Sequence, residues 1–115
     1  MARWKAVERE IAKLIDGKRT NRDKGSGVED ITHPILSVEV KHGLQIPPFV
    51  KRTIEQAETN APEGKIPIIA LHPFGYPVSR SLVCMTLESL TALLQLVSAT
   101  SQVSESPPTP PNGEN

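Results

Sequence analysis

Three residues carry the densest chemical signal in the chain: Asp30, Glu39 and Lys41. The run Leu36-Ser37-Val38-Glu39-Val40-Lys41 alternates apolar and polar side chains as a strand does. It sets Leu36, Val38 and Val40 on one face and Ser37, Glu39 and Lys41 on the other. A turn about His33-Pro34-Ile35 folds the preceding segment back as an antiparallel neighbour and brings Asp30 nearly opposite Glu39. Cross-strand neighbours lie only about 5 Å apart at Cβ, and like charges that close destabilise a sheet unless a cation sits between them. Two converging carboxylates, with a lysine one step along the same face, suit a hard divalent ion such as Mg²⁺ and a positioned water.

Helical periodicity adds a third acid. Trp4, Val7, Ile11, Leu14 and Ile15 recur at helical spacing, predicting a helix from Arg3 to Ile15 that stops at Asp16-Gly17. On that helix Glu8 falls about 20° from Ile15 and about 40° from Trp4, inside the apolar stripe, whereas Glu10 lies on its polar flank. An inward glutamate needs a partner, because an unpaired buried charge is costly. The competing reading of each acid is a plain salt bridge, Glu8 with Arg22 and Glu39 with Lys41.

These residues must be positioned by a small fold. The chain has 115 residues, 13 Lys+Arg against 13 Asp+Glu, 37% hydrophobic and 3% aromatic residues, 11 prolines and one cysteine, Cys84. One cysteine permits neither an internal disulfide nor a Cys-rich zinc site, and the three histidines lack zinc-ligand spacing. No apolar run approaches the roughly 20 residues of a membrane span, and no charged-then-apolar leader opens the chain. The expectation is therefore an intracellular, cytoplasmic protein that does not enter a membrane. From Ser98 onward Ser, Thr, Pro and Asn dominate, and that segment reads as a disordered tail, 98–115, following one domain at 1–97. Removing its two glutamates leaves the domain at +2. Within residues 1–24 eight basic residues face four acids, either a solvated helix face or a phosphate-binding surface.

Further along, a short polar strand from Lys18 to Arg22 precedes a flexible turn at Lys24-Gly25-Ser26-Gly27. Strands from Val28 to Thr32 and from Ile35 to Lys41 form the hairpin. Pro47-Pro48 opens a helix to about Ala61, with Phe49, Val50, Thr53, Ile54, Ala57 and Ala61 on its inner face. Ile66 to Leu71 is almost wholly apolar, as in a strand covered on both faces. A strand from Leu82 to Thr86, with Cys84 and Met85 in the core, leads into a leucine-rich helix from Leu87 to about Val97. Phe74-Gly75-Tyr76-Pro77 reads as a turn with packed aromatics. The order α-β-β-β-α-β-β-α gives one α/β domain, a mixed sheet of about five strands flanked by helices.

In this order the residues resemble the PD-(D/E)XK nuclease superfamily, and within it the archaeal-type Holliday junction resolvases. Motif-level likeness covers roughly Trp4 to His42. Glu8-Arg9-Glu10 is similar to the Glu-Arg of the family's first helix, Gly17 to Arg22 to its Gly-containing turn into a strand ending in Arg, and Gly25-Ser26-Gly27 to its Gly-Ser-Gly loop. Glu29-Asp30-Ile31 stands where the family has Pro-Asp-Ile or Pro-Asp-Val, and Val38-Glu39-Val40-Lys41 matches its Ile-Glu-Val-Lys. With Glu at position 29, either Glu29 or Asp30 can be the acid of that motif; alternation lets only one face Glu39, and Asp30 is preferred.

The resemblance implies a restriction-endonuclease-like fold and Mg²⁺, with Mn²⁺ as a substitute, held by Glu8, Asp30, Glu39 and the Val40 carbonyl. It implies that Lys41 activates the attacking water, that Ser26 approaches the scissile phosphate, and that Arg9 and Arg22 hold the DNA backbone. Lys24, in the same basic segment, joins the DNA-binding set. Gln56 on the second helix reaches a phosphate or the metal-bound water, unless it is a plain helix-flank glutamine. The implied activity is resolution of four-way DNA junctions by phosphodiester hydrolysis in a homodimer, in a prokaryotic or viral setting. The leucine stripe of the last helix is either a dimer face or a buried helix. Rival readings are the same nuclease on nicked, flapped or duplex DNA, and a catalytically silent DNA-binding module.

Overall fold

A computed structural model describes the backbone of residues 3–20 and 29–104 and the side chains of residues 4–20 and 29–99. Arg22, Lys24, Ser26, the turn at 24–27 and residues 105–115 lie outside the described residues. The described chain is mixed α/β: three helices and five strands in the order α-β-β-β-α-β-β-α, with a 3₁₀ turn at Val78–Arg80. It divides into two compact units, Met1–Pro48 and Phe49–Asn115, where the sequence suggested one.

In the first unit, α1 (Arg3–Ile15) spans the expected residues. Its buried line differs from the expected stripe: Glu8, Ala12 and Ile15 are 4%, 5% and 3% exposed, whereas Trp4 and Leu14 face outward. The helix stops through a paired hydrogen-bond cap, Gly17 N–H to Ala12 C=O at 2.7 Å and Asp16 N–H to Lys13 C=O at 3.3 Å. The left-handed residue of that cap is Asp16, at φ 63°. Gly17 is required for a different reason: a Cβ there would lie 2.7 Å from the Thr32 carbonyl oxygen and 2.9 Å from Ile31 Cγ2.

That close approach lets β1 (Lys18–Arg19) lie against β2 (Ile31–Thr32), which pairs in turn with β3 (Ser37–Val38). All pairing is antiparallel, in the order β1-β2-β3. The strands are shorter than expected, although the hairpin register is the expected one: Ile31 opposes Val38 and Thr32 opposes Ser37. His33 closes the turn by accepting the Ile35 N–H on Nδ1 at 3.1 Å. Ile31, fully buried, anchors the core with Ala12 and Ile15.

In the second unit, α2 (Pro48–Asn60) starts on proline, whose missing N–H costs nothing in the first turn. Val50, Thr53, Ile54 and Ala57 are half-buried as the stripe predicts, but Phe49 is exposed. β4 (Ile69–Leu71) pairs antiparallel with β5 (Leu82–Cys84) in a sheet of its own. The single mixed sheet is thus replaced by two antiparallel sheets, with no parallel pair among the described residues. Each strand here follows its partner through a local connection, and local connections favour antiparallel pairing. Nor is β4 covered on both faces: Ile69 is buried, whereas Ala70 and its neighbour Ile68 are exposed. Cys84 and Met85 are half-buried rather than core.

The β4–β5 connection is a turn as predicted, with Tyr76 N–H bonded to Pro73 C=O at 3.3 Å and Gly75 at φ 79°. Its aromatics are not packed, however; Phe74 is fully exposed. Helix α3 (Leu87–Ser104) runs past the expected end at Val97, so a tail boundary at Ser98 falls inside a helix. Extending a helix costs far less than nucleating one, and no proline or glycine interrupts the chain before Pro107. Thr86 caps α3, its Oγ1 accepting the Ser89 N–H at 3.1 Å. No helix is long and apolar enough to cross a membrane among the described residues.

Candidate functional site

The three-stranded sheet positions the candidate site at one end of its middle strand. The β2–β3 pairing ends at Ile31 opposite Val38, with Asp30 and Glu39 the next residues on the two chains, and Thr20 follows the β1–β2 register beside Asp30. Backbone bonds hold this end closed: Thr20 N–H donates to Asp30 C=O at 2.9 Å, and Asp30 N–H donates to Val38 C=O at 2.9 Å. The Asp30 carboxylate accepts the Val40 N–H through Oδ2 at 2.8 Å. That bond ties the acid to the peptide between Glu39 and Lys41, so Asp30, Glu39 and Lys41 stand at one corner. Asp30 is half-buried, and Glu39 and Lys41 are exposed.

Glu8 lies elsewhere. Arg19 Nε donates to Glu8 Oε1 at 3.0 Å, with side-chain exposures of 23% and 5%. Arg19 opposes the buried Ile31 across the β1–β2 pair, so it shares the face that packs into the core with Ala12 and Ile15. Strand alternation sends Asp30 and Thr32 to the opposite face. The expected convergence of three acids is therefore not what the sheet builds, and no three His, Cys, Asp or Glu side chains form a metal-holding group among the described residues. Glu8 is paired with Arg19, while the salt bridge weighed for it, with Arg22, lies outside the described residues. The one weighed for Glu39 and Lys41 is not formed among the described residues.

The comparisons with known proteins are silent. No protein-family model matches the chain, and neither a curated protein nor a solved structure matches it.

Two features escaped the sequence. Thr20 Oγ1 is buried without a hydrogen-bond partner among the described residues, next to Asp30 in register. A lone threonine in a polar strand gives no sequence signal for this. The second is a shallow depression of about 720 Å³ on α1 and β1, lined by Arg9, Lys13, Lys18, Arg19 and Glu10 around Gly17. Its cations belong to the basic segment that composition does reveal; their convergence depends on the helix stop at Asp16. Arg9 lines this depression, whereas Arg22, Lys24 and Ser26 lie outside the described residues. Gln56 is exposed on α2, in the other unit.

Proposed function

We propose that the protein is a Mg²⁺-dependent endodeoxyribonuclease with a restriction-endonuclease-like core, acting on branched DNA such as four-way junctions. The observation that carries the reading is the corner at Asp30: a carboxylate bonded to the N–H of Val40, the residue that Glu39 and Lys41 flank. Asp30 has a structural use in accepting the Val40 N–H, but that bond accounts for neither Glu39 nor Lys41 beside it. Asp30, Glu39 and the Val40 carbonyl are the groups that would hold the ion, which when bound would polarise a phosphodiester and lower the pKa of a water. Lys41 would offset charge developing on the phosphate. Glu8 takes part only by leaving Arg19. Arg9, Arg22, Lys24 and Gln56 would contact the DNA, and Ser26 the scissile phosphate. Paired cuts in a junction need two sites, hence a homodimer, for which Leu93, Leu96 and Val97 on α3 offer exposed apolar surface.

The pairing of Glu8 with Arg19 favours a second reading, a module that binds DNA without cutting it. Incubation of a labelled four-way junction and a linear duplex with Mg²⁺ or EDTA separates the two. Wild-type protein is expected to make paired nicks in the junction with Mg²⁺ only, and Lys41→Ala and Glu39→Gln to make none while still binding. Binding without cutting by the wild type would establish the silent module, and cutting of both substrates would remove the junction preference.

A further inference from the structure

We propose that the depression on α1 and β1 binds the phosphodiester backbone of nucleic acid, as a contact separate from the carboxylate corner. The identity of the polyanion rests on the nuclease reading; the site itself rests on charge and shape. Arg9 and Lys13 are one helical turn apart on α1, and Lys18 opens β1 beyond the helix stop, so three flexible cations from two elements border one hollow. None of the three has an ion-pair partner among the described residues. The fourth cation, Arg19, is committed to Glu8, and Glu10 subtracts one charge, which leaves the hollow at about +2.

The character of the hollow selects the ligand. A pocket for a free phosphate or a nucleotide encloses its ligand and presents buried, convergent donors. Here Arg9, Lys13 and Lys18 are exposed and the hollow is open, so each cation keeps its water until a polyanion displaces it. Such a surface favours a chain of charges, because affinity grows with each counterion released. Four residues of helix rise about 6 Å, and one DNA strand advances about 3.4 Å per phosphate. Arg9 and Lys13 therefore reach phosphates close together on one strand, with Lys18 extending the row. Gly17 lines the hollow between them. No base edge is addressed, so the contact is indifferent to sequence.

The test is the salt dependence of binding to a fluorescent linear duplex in EDTA, between about 50 and about 200 mM salt. Lys13→Ala/Lys18→Ala is compared with wild type and with Lys51→Ala/Lys65→Ala, which removes the same charge from exposed positions of the other unit. The slope of log affinity against log salt should fall by about 1.8 in the first variant, at about 0.9 per phosphate contact. It should hold in the second. Single-turnover cleavage at saturating protein should be unchanged in both, since the hollow lies apart from the corner. An unaltered slope, or an equal fall in both variants, overturns the site and leaves the nuclease reading standing. Wild-type protein that binds no duplex even at low salt overturns both. Cleavage lost in the wild type with the slope difference intact overturns only the nuclease reading.

Discussion

Arg19 holds Glu8 across the corner between α1 and β1, Nε to Oε1 at 3.0 Å, with the carboxylate almost wholly inside the first unit. Removing the cation takes a partner from a buried charge, whereas neutralising the acid leaves a group that still accepts. Arg19→Ala is expected to cost about 2–3 kcal/mol, below the full penalty of a sealed pair because Arg19 is part-exposed. Glu8→Gln should cost about 1 kcal/mol. Chemical denaturation of the two variants gives the comparison; equal losses would mean that Arg19 contributes through packing alone.

Neighbouring residues at the helix stop should respond in opposite directions. Asp16 sits at φ 63°, where glycine is easier to accommodate, so Asp16→Gly should raise stability by up to about 1 kcal/mol. Gly17→Ala drives a methyl into the Thr32 carbonyl and Ile31 and should cost about 1–3 kcal/mol. Melting temperatures a few degrees above and below wild type are the expected readout.

The Asp30–Val40 bond separates scaffold from chemistry. Asp30→Asn keeps an acceptor for the Val40 N–H and should leave stability within about 0.5 kcal/mol, while Asp30→Ala should lose about 1–2 kcal/mol. Under the nuclease reading both abolish cleavage. An Asn variant that cuts as well as wild type would remove Asp30 from the site.

Metal binding at the same corner should appear in thermal unfolding. With Mg²⁺ at about ten times its dissociation constant the native state gains about 1.4 kcal/mol. Asp30→Asn and Glu39→Gln should each erase most of that gain. An equal shift in wild type and both variants would place the ion elsewhere.

Thr86 tests the start of α3, where its hydroxyl accepts the Ser89 N–H and donates to Ser89 Oγ at 3.2 Å. Thr86→Ala should cost about 1 kcal/mol and Thr86→Ser much less, as measured by denaturant midpoint. A loss on Ser as large as on Ala would assign the effect to the methyl group.

What the sequence disclosed follows from which forces act locally. The bounds of α1, the hairpin turn at His33 and the register opposing Ile31 and Val38 all come from short-range patterning, and the structure has them. The inward position of Glu8 was legible from the helical wheel, but its partner was not. That Arg19 reaches it depends on which side of a two-residue strand faces the core. Faces also explain the missing third acid, because helix periodicity and strand alternation each report a side without relating one to the other. The apolar run at Ile66 to Leu71 misled because composition shows what a strand tolerates, not how many neighbours it acquires. The end of α3 was misplaced because Ser and Thr are weak helix formers whose cost an established helix absorbs.

The chain holds one tryptophan, Trp4, with Lys5 Nζ 5.3 Å above its ring and the indole 38% exposed at the start of α1. That gives the first unit an intrinsic fluorophore and leaves the second without one that absorbs at the red edge. Emission excited there follows the helix bearing Glu8, Arg9 and Lys13 without any attached dye. Its quenching by iodide and its polarisation become a private channel for events on α1, read in the unmodified protein.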